Sequence, residues 1–289
     1  MKNLVKKVSS HWRKCLILFL ISANLIVWYA TFRENRAGIL TIAFLDVGQG
    51  DGIFIEAPNG NQLLLDGGPD KKVLESLGEV MAFYDRTIDV LVLSHPHSDH
   101  VAGLDEVLQR YIVGVGVTSG TGGVSSEFTL WKNLLENFGV KKIVAKRGMR
   151  INMGGGVYLD ALLPSHDVAK ETPHDGMLVM QLHYGKTAVM LTGDMERPLE
   201  QYLVAYDGAK LKSDILKVGH HGSKTSSTES FVGYVSPRYA VISSGIDNKY
   251  GHPAKETLNI LEKFEIQTLR TDEDGTIVFE SDGETISLK

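Results

Sequence analysis

The sequence predicts an α/β layered fold preceded by one apolar N-terminal helix. From about residue 39 to the C-terminus, short apolar runs with strand character alternate with longer segments of helical periodicity, which is typical of sheets covered by helices. Before them, residues 15–32 form eighteen positions without a charged side chain, about the minimum length of a membrane-spanning helix. With 289 residues and 43% hydrophobic side chains, the chain can bury one large core. We therefore expect one globular domain with an N-terminal appendage.

The N-terminal run predicts a membrane anchor with a defined orientation. The first fourteen residues contain five Lys or Arg side chains and no acid, and the positive-inside rule keeps such a flank in the cytoplasm. We expect residues 1–36 to be a basic cytoplasmic tail plus anchor in the cell membrane, and residues 37–289 to be an extracytoplasmic domain. Secretion after cleavage is the competing interpretation, but Trp28 and Tyr29 are bulky where a signal peptidase requires small residues. A buried helix of a soluble protein is disfavoured by the missing amphipathic periodicity.

The charge distribution limits the class of partner. The whole chain carries −5 and its first fourteen residues carry +5, which leaves −10 for the remainder. Because phosphate backbones are bound mainly through Lys and Arg, an acidic domain does not fit broad, tight duplex binding. Five basic residues between positions 141 and 150 are either a strand-guiding patch or the solvated edge of a strand and turn. The single cysteine, Cys15, lies in the apolar run, so no disulfide or thiolate ligand is expected outside it.

Apolar periodicity and turn residues predict the order of elements in the domain. An Asn59-Gly60 pair predicts a hairpin turn, and the glycine-rich stretch at 152–156 predicts a break in the chain. The predicted strands cover residues 39–45, 53–56, 62–66, 88–93, 112–118, 157–163, 177–184, 187–191, 277–280 and 284–288. The predicted helices cover residues 71–84, 101–111, 125–138 and 254–264.

The segment 94–100 concentrates metal-ligand side chains directly after a buried strand. It holds three imidazoles and one carboxylate within six residues, the donors that suit zinc and its first-row neighbours. Because side chains alternate in an extended segment, His95 and His97 point to one side and can bind one ion. If a helix then begins at Asp99, Asp99 and His100 turn away from that pair and can bind a second ion. This spacing predicts a metal centre rather than isolated surface or core histidines.

Three later segments carry polar side chains that could join this centre. Asp194 follows an apolar strand and precedes a helix, where it either bridges two cations or caps the helix. His220 and His221 follow another strand, and because adjacent strand residues face opposite ways, we expect one of them to be a ligand. His252 precedes the helix at 254–264, as a catalytic group or as part of an ordinary helix start. The remaining histidines have no ligand-like neighbours; they are His11, His166 and His183.

The motif His-x-His-x-Asp-His at 95–100 resembles that of the metallo-β-lactamase fold hydrolases. Four further motifs follow the order seen in the soluble hydrolase domain of ComEC-type DNA-uptake (competence) proteins, and the resemblance covers about residues 39–288. These motifs are Asp-Val-Gly-Gln-Gly-Asp at 46–51, Leu-Thr-Gly-Asp-x-Glu at 191–196, His-His-Gly-Ser at 220–223 and Tyr-Gly-His-Pro at 250–253. The resemblance implies an αββα sandwich of two mixed β-sheets flanked by helices.

The resemblance also implies roles for individual residues. In the family, an Asp at the position of Asp66 supports the metal ligands from behind, and the Asp of Leu-Thr-Gly-Asp, here Asp194, bridges two ions. One loop departs from the DNA-uptake branch, which usually carries Asn and Ser where this chain has His174 and Met177, whereas wider relatives place a histidine ligand there. His174 is therefore either a third imidazole of the first site or a loop histidine without a ligand role. Glu196 is expected to support the ligands or to face the substrate.

Together these observations predict a membrane-anchored hydrolase that uses two divalent metal ions. Zinc is favoured over manganese because imidazole donors dominate. Water activated by the two ions would attack a phosphodiester, with Asp99, Glu196 and His252 in the catalytic site and an imidazole protonating the leaving group. The expected ligands are His95, His97 and His174 for the first site, Asp99, His100 and one of His220 or His221 for the second, and Asp194 between the two.

The branch signature implies single-stranded DNA, taken up by the cell, as the specific phosphodiester substrate. With one candidate span, the chain would be a stand-alone relative that works beside a competence-channel partner. Hydrolysis of another extracellular ester or of a cell-wall phosphodiester, such as a choline-bearing one, is an alternative activity. A catalytically silent binding module on the same fold is the alternative without enzymatic function, and metal content separates it from the hydrolase.

Overall fold

The computed structural model describes residues 2–34 and 38–289, with side chains at positions 12–29 and from 38 onward. The chain divides after position 37 into two compact units. The first unit is the single helix α1 (Lys2–Glu34), within which Trp12–Tyr29 is long and apolar enough to cross a membrane by length and composition. The predicted domain boundary at 36/37 and the basic side chains of the first eleven positions lie outside the described part of the chain.

The second unit combines two β-sheets with helices. Its strands are β1 (Leu40–Phe44), β2 (Ile53–Glu56), β3 (Gln62–Leu65), β4 (Thr87–Leu93), β5 (Ile112–Thr118), β6 (Lys141–Val144), β7 (Arg150–Gly154), β8 (Val157–Leu163), β9 (Val179–Tyr184), β10 (Thr187–Leu191), β11 (Ile215–Lys217), β12 (Tyr239–Ile242), β13 (Gln267–Arg270), β14 (Ile277–Ser281) and β15 (Ile286–Leu288). Its helices are α2 (Lys72–Val80), α3 (Ser98–Leu108), α4 (Ser126–Asn137), α5 (Arg197–Asp207), α6 (Glu229–Val235), α7 (Lys255–Lys263) and α8 (Thr271–Asp274).

Both sheets are mixed. One has eight strands in the order β15-β14-β1-β2-β3-β4-β5-β6, and the other has seven in the order β13-β12-β11-β10-β9-β8-β7. Strands β3 to β6 of the first sheet run parallel to one another, as do strands β10 to β13 of the second. In each sheet the remaining pairs are antiparallel.

Three apolar layers hold the sheets and helices together. Along β1, Ile42 and Phe44 point into the layer between the two sheets, whereas Ala43 and Leu45 lie in the layer beneath α2, α3 and α4. This alternation is the period-2 pattern of a strand that is buried on both faces. A third layer joins the second sheet to α5, α6 and α7. The predicted αββα sandwich is thereby confirmed.

Two predicted elements have different boundaries in the structure. The helix expected at 101–111 begins at Ser98, because His97 is extended and its carbonyl accepts the amides of His100 and Val101 at 3.1 and 3.0 Å. The break expected at 152–156 is also wrong in extent, since Asn152 to Gly154 belong to β7 and the turn follows them.

The basic residues between 141 and 150 do not form one free patch. Arg147 is ion-paired with Asp207, and Arg150 makes two hydrogen bonds of 2.6 and 2.8 Å to Asp160. Lys141 and Lys142 are exposed on β6, which is the edge strand of its sheet. Lysines on an edge discourage pairing with another chain, so this arrangement favours the solvated-edge interpretation.

Replacing Trp131 by Ala tests the layer beneath α4. Its side chain is fully buried and stacks on Phe128 with ring centroids 5.8 Å apart, so we expect the free energy of unfolding to fall by about 3–5 kcal/mol. Leu130 lies next to it on the same helix but is 46% exposed, and Leu130→Ala should change that free energy by less than about 0.5 kcal/mol. Urea denaturation of the full chain in detergent measures both, and equal losses would contradict the assigned packing.

Candidate metal centre

The candidate centre lies where the carboxyl ends of parallel strands from both sheets meet. Segment 94–100 follows β4 and Asp66 follows β3 in the first sheet. Asp194 follows β10, and the pair His220–His221 follows β11, in the second sheet. Segments that are distant in sequence therefore converge at one rim of the sandwich, as open α/β sheets often arrange their sites.

The first ligand group consists of His95, His97 and Asp194, whose donor atoms all lie within 4.8 Å of one another. His95 is fully buried, and its Nδ1 lies 3.0 Å from Ser94 Oγ. Its Nε2 lies 3.0 Å from His97 Nδ1 and 3.6 Å from Asp194 Oδ2. The structure thus brings the predicted pair together on one side of the chain.

The second ligand group consists of Asp99, His100, Asp194 and His221, also within 4.8 Å. His221 Nε2 lies 3.3 Å from Asp99 Oδ2 and 3.5 Å from Asp194 Oδ1. His100 Nε2 lies 3.3 Å from Asp194 Oδ2. Asp194 therefore belongs to both groups, as the prediction of a bridging carboxylate requires.

His220 and His221 take different positions because they lie in a turn rather than in a strand. Both residues lie in a 3-10 turn after β11 and have left-handed φ angles of 47° and 53°, a conformation that costs energy in a residue with a side chain. The assumption that they alternate along a strand was therefore wrong. The turn directs His221 into the second ligand group, while His220 Nδ1 donates a hydrogen bond of 3.1 Å to Glu196.

Three further predicted site residues, His174, His220 and His252, line a pocket of about 360 Å³ together with Asp99 and Asp194, whereas Glu196 is not part of its lining. His174 lies between His97 and His220, with its ring centroid 4.7 Å from that of His97 and 4.9 Å from that of His220. Its donor atom lies within 4.8 Å of those of Glu196 and His220, with which it forms a third candidate group. His252 lines the same pocket, with its ring 5.8 Å from that of His220.

Asp66 lies behind the second group, at the position that the family resemblance implied. It accepts hydrogen bonds from Ser94 N at 2.8 Å, from Ser94 Oγ at 2.6 Å and from His100 Nδ1 at 2.8 Å. The Asp66 loop can approach α3 this closely because Gly103 has no side chain; a Cβ there would lie 1.8 Å from the carbonyl oxygen of Gly67. The carboxylate thereby fixes the orientation of His100.

Sequence reasoning missed a buried ion pair beside the centre. Lys217 is fully buried, and its Nζ lies 2.5 Å from Asp51 Oδ2 and 3.3 Å from the carbonyl oxygen of Gly193. Asp51 Oδ1 in turn lies 3.4 Å from His221 Nδ1. Burial opposes ionisation of Asp51, but Lys217 and the neighbouring imidazoles lower its pKa to about 2. A charged residue inside the short apolar strand β11 is the signal that could have revealed this pair.

Three imidazoles use Nδ1 for hydrogen bonds to the surrounding protein, which leaves their Nε2 atoms facing the centre. His95, His100 and His221 use Nδ1 toward Ser94 Oγ, Asp66 and the carbonyl oxygen of Ser243, respectively. Within the described part of the chain, the buried atoms without a hydrogen-bond partner include His100 Nε2, His221 Nε2 and Asp194 Oδ1. Such orientation by an outer acceptor is typical of metal-bound histidine, so the donor set fits divalent ions.

The charges of the metal-free centre differ between the two groups. Burial lowers the pKa of His95 and of His97, which keeps both neutral and ready to bind a cation. For His100 and His221 the neighbouring carboxylates outweigh burial; they raise the pKa of His100 well above its usual value and that of His221 to about 9. Protons therefore occupy the second group until a metal ion displaces them.

The family of the chain follows from its similarity to known proteins. Residues 45–246 match the family model described as Metallo-beta-lactamase superfamily. The chain belongs to this superfamily. It is 32% identical to ComE operon protein 3 of Bacillus subtilis over 82% of this chain and 32% of the relative. It is also 32% identical to Competence protein ComA of Neisseria gonorrhoeae, over 85% of this chain and 32% of the relative.

The chain spans about a third of the length of the curated relatives that it matches. Among solved structures, a diphosphatase from the PhnP family superposes with a TM-score of 0.51 at 17% identity, covering 84% of this chain and 98% of that one. At such low identity this similarity shows the fold, and it agrees with the αββα sandwich described above.

We expect metal affinity to increase with pH between about 6 and 9. Because the pKa of His221 in the metal-free centre is raised to about 9, a metal ion must displace its proton below that pH, which raises affinity about tenfold per pH unit for each proton displaced. Titration calorimetry in buffers of different ionisation enthalpy measures the released protons. A pH-independent affinity without proton release would contradict this description of the second group.

Lys217→Met should destabilise the protein by about 3–5 kcal/mol, because it leaves the buried carboxylate of Asp51 without its cation. The double variant Lys217→Met/Asp51→Asn removes both charges and should cost less than the sum of the two single variants. Urea denaturation of the metal-free chain measures all three variants. Additive losses would show that the two side chains act independently.

Proposed function

We propose that this protein is a dinuclear metal-dependent hydrolase of phosphodiesters. The observation that carries the proposal is the position of Asp194, whose carboxylate lies between a group built on His95 and His97 and a group built on Asp99, His100 and His221. When bound, two divalent ions lower the pKa of water and neutralise charge that develops on a phosphoryl oxygen.

The ligand assignment follows from these positions. Four imidazoles of the two groups outnumber the two carboxylates, so we propose zinc as the native metal, with manganese as the alternative. His174 completes the first site, since its ring lies next to His97. The proposed ligands are His95, His97 and His174 for the first ion, Asp99, His100 and His221 for the second, and Asp194 for both.

His220 and His252 form the pocket wall that contacts the substrate in this proposal, and Glu196 holds His220 in place. Burial lowers the pKa of His220 and of His252, so both imidazoles are mainly neutral at pH 7. We therefore assign His252 mainly to positioning the substrate, while its small protonated fraction supplies a proton to the leaving oxygen. Glu196 accepts hydrogen bonds from His220 Nδ1 at 3.1 Å and from Thr225 Oγ1 at 2.7 Å, which orients His220 toward the pocket.

Single-stranded DNA is the substrate that we propose, with DNA uptake as the process. The name of Competence protein ComA supports DNA uptake as the process. This relative and ComE operon protein 3 are each 32% identical to the chain. In this proposal α1 anchors the chain in the membrane, with its N-terminus in the cytoplasm and the catalytic unit outside. A separate channel that conducts the DNA strand would be the partner, and the membrane would hold both proteins side by side.

Asp194→Asn should abolish metal-dependent turnover. We expect metal-stripped full-length chain in detergent, reconstituted with Zn²⁺ or Mn²⁺, to hydrolyse bis(p-nitrophenyl) phosphate and a labelled single-stranded oligonucleotide. Loss of a ligand shared by both ions should lower kcat/KM by at least about 100-fold, since replacing an outer-shell partner alone costs up to about that factor.

Asp99→Asn should lose activity in the same way, because it removes a ligand of the second ion. Asp160→Asn is the matched control, since Asp160 pairs with the exposed side chain of Arg150 and lies outside both ligand groups. Unchanged hydrolysis in either site variant would refute the assignment, and absence of hydrolysis in the wild type would favour the silent binding module.

A further inference from the structure

An exposed aromatic side chain stands at the mouth of the metal-centre pocket. Tyr250 is 57% exposed and lines the same pocket as Asp99, Asp194 and His221. Its ring stacks on His252, with centroids 5.8 Å apart and planes inclined by 23°. One face of the ring is thus supported by the pocket wall, which holds it in a fixed orientation.

A row of neighbouring side-chain rings leads from Tyr250 to the first ligand group. The ring of His252 lies 5.8 Å from that of His220, which lies 4.9 Å from that of His174. His174 lies 4.7 Å from His97. Flat groups therefore line one wall of the pocket, from solvent to the atoms that we assign to the metal ions. A substrate with flat groups close to its scissile bond fits such a wall.

The loop that carries Tyr250 is held in place by one asparagine. Asn248 Nδ2 donates to the carbonyl oxygens of Gly245 at 3.0 Å and His252 at 2.6 Å. Its Oδ1 accepts the amides of Tyr250 at 3.2 Å and His252 at 3.0 Å. Gly245 N in turn donates to Gln49 Oε1 at 3.1 Å. Because the loop is ordered in advance, little conformational entropy is lost when a ligand stacks on the ring.

The charge next to Tyr250 distinguishes between two classes of ligand. Lys249 Nζ lies 5.1 Å from the centroid of the Tyr250 ring, which is where a cationic ligand would bind to an aromatic face. A quaternary ammonium group such as choline would meet this like charge. An anionic ligand with a flat base gains from both side chains, because the base takes the place of the exposed lysine on the ring face and its phosphate then pairs with the displaced ammonium.

We propose that Tyr250, flanked by Lys249, is a nucleobase-stacking platform that holds single-stranded nucleic acid with one phosphodiester at the metal centre. This inference rests on the proposed phosphodiesterase function and adds the feature by which the substrate is selected. A base pair in a duplex is stacked on its neighbours and does not offer a free face, whereas an unpaired base does. The platform therefore selects single strands, and it tolerates different sequences because every base has a π-face.

The test compares Tyr250→Leu with the wild-type, metal-loaded full chain on two oligonucleotides of the same length, one intact and one with consecutive abasic sites. We expect Tyr250→Leu to lower kcat/KM on the intact strand by about 5- to 150-fold, mainly through KM. On the abasic strand it should change little, because no base is present to stack. Tyr250→Phe should retain wild-type values on both strands. Ile246→Ala is the matched control, since Ile246 is 74% exposed on the same loop, and it should have no effect.

Three results would overturn the platform. They are an equal loss on intact and abasic strands, an unchanged kcat/KM for Tyr250→Leu on the intact strand, and a Tyr250-dependent hydrolysis confined to glycerophosphocholine. Fluorescence anisotropy of the same two oligonucleotides provides the comparison without turnover. If the wild type hydrolyses neither strand but binds the intact one through Tyr250, the proposed hydrolase function fails and the platform stands.

Discussion

The structure depends on one buried carboxylate surrounded by imidazoles. Asp194 is almost fully buried, and His95, His100 and His221 each place Nε2 within 3.6 Å of one of its oxygens. A carboxylate removed from water needs cations or hydrogen-bond donors close by. His100 and His221, whose pKa values are raised, meet that need in the metal-free state and lower the pKa of Asp194 well below its usual value. Divalent ions bound there would replace these protons.

The surrounding residues hold this arrangement by fixing loops that come from different strands. Asp66 orients His100 from one sheet, and the turn that follows β11 presents His221 from the other at a cost in backbone strain. Lys217 reduces the negative charge of the centre and contacts both Asp51 and the carbonyl oxygen of Gly193. It therefore links the loop after β1 to the loop after β10. The two sheets therefore meet through charged side chains at the rim as well as through the apolar layer between them.

Local patterns in the sequence predicted the α/β layering and many of the strands and helices, whereas the αββα sandwich was implied by the family resemblance. The strand β8 and the grouping of ligand-type side chains at 95–100 follow from periodicity and spacing over a few residues. The role of His221 could not be predicted that way, because two consecutive left-handed residues form a turn where the pattern suggested a strand. The pair of Asp51 and Lys217 joins positions 166 residues apart in the chain, and no local pattern reports such a contact.

If Asp194 is shared by two metal ions, anomalous diffraction from crystals of the zinc-loaded or manganese-loaded chain should show two peaks about 3.5–4 Å apart. One peak should lie beside His95 and His97 and the other beside His100 and His221, with the Asp194 carboxylate between them. A single peak that Asp194 does not contact, or no peak at this rim, would rule out a shared carboxylate.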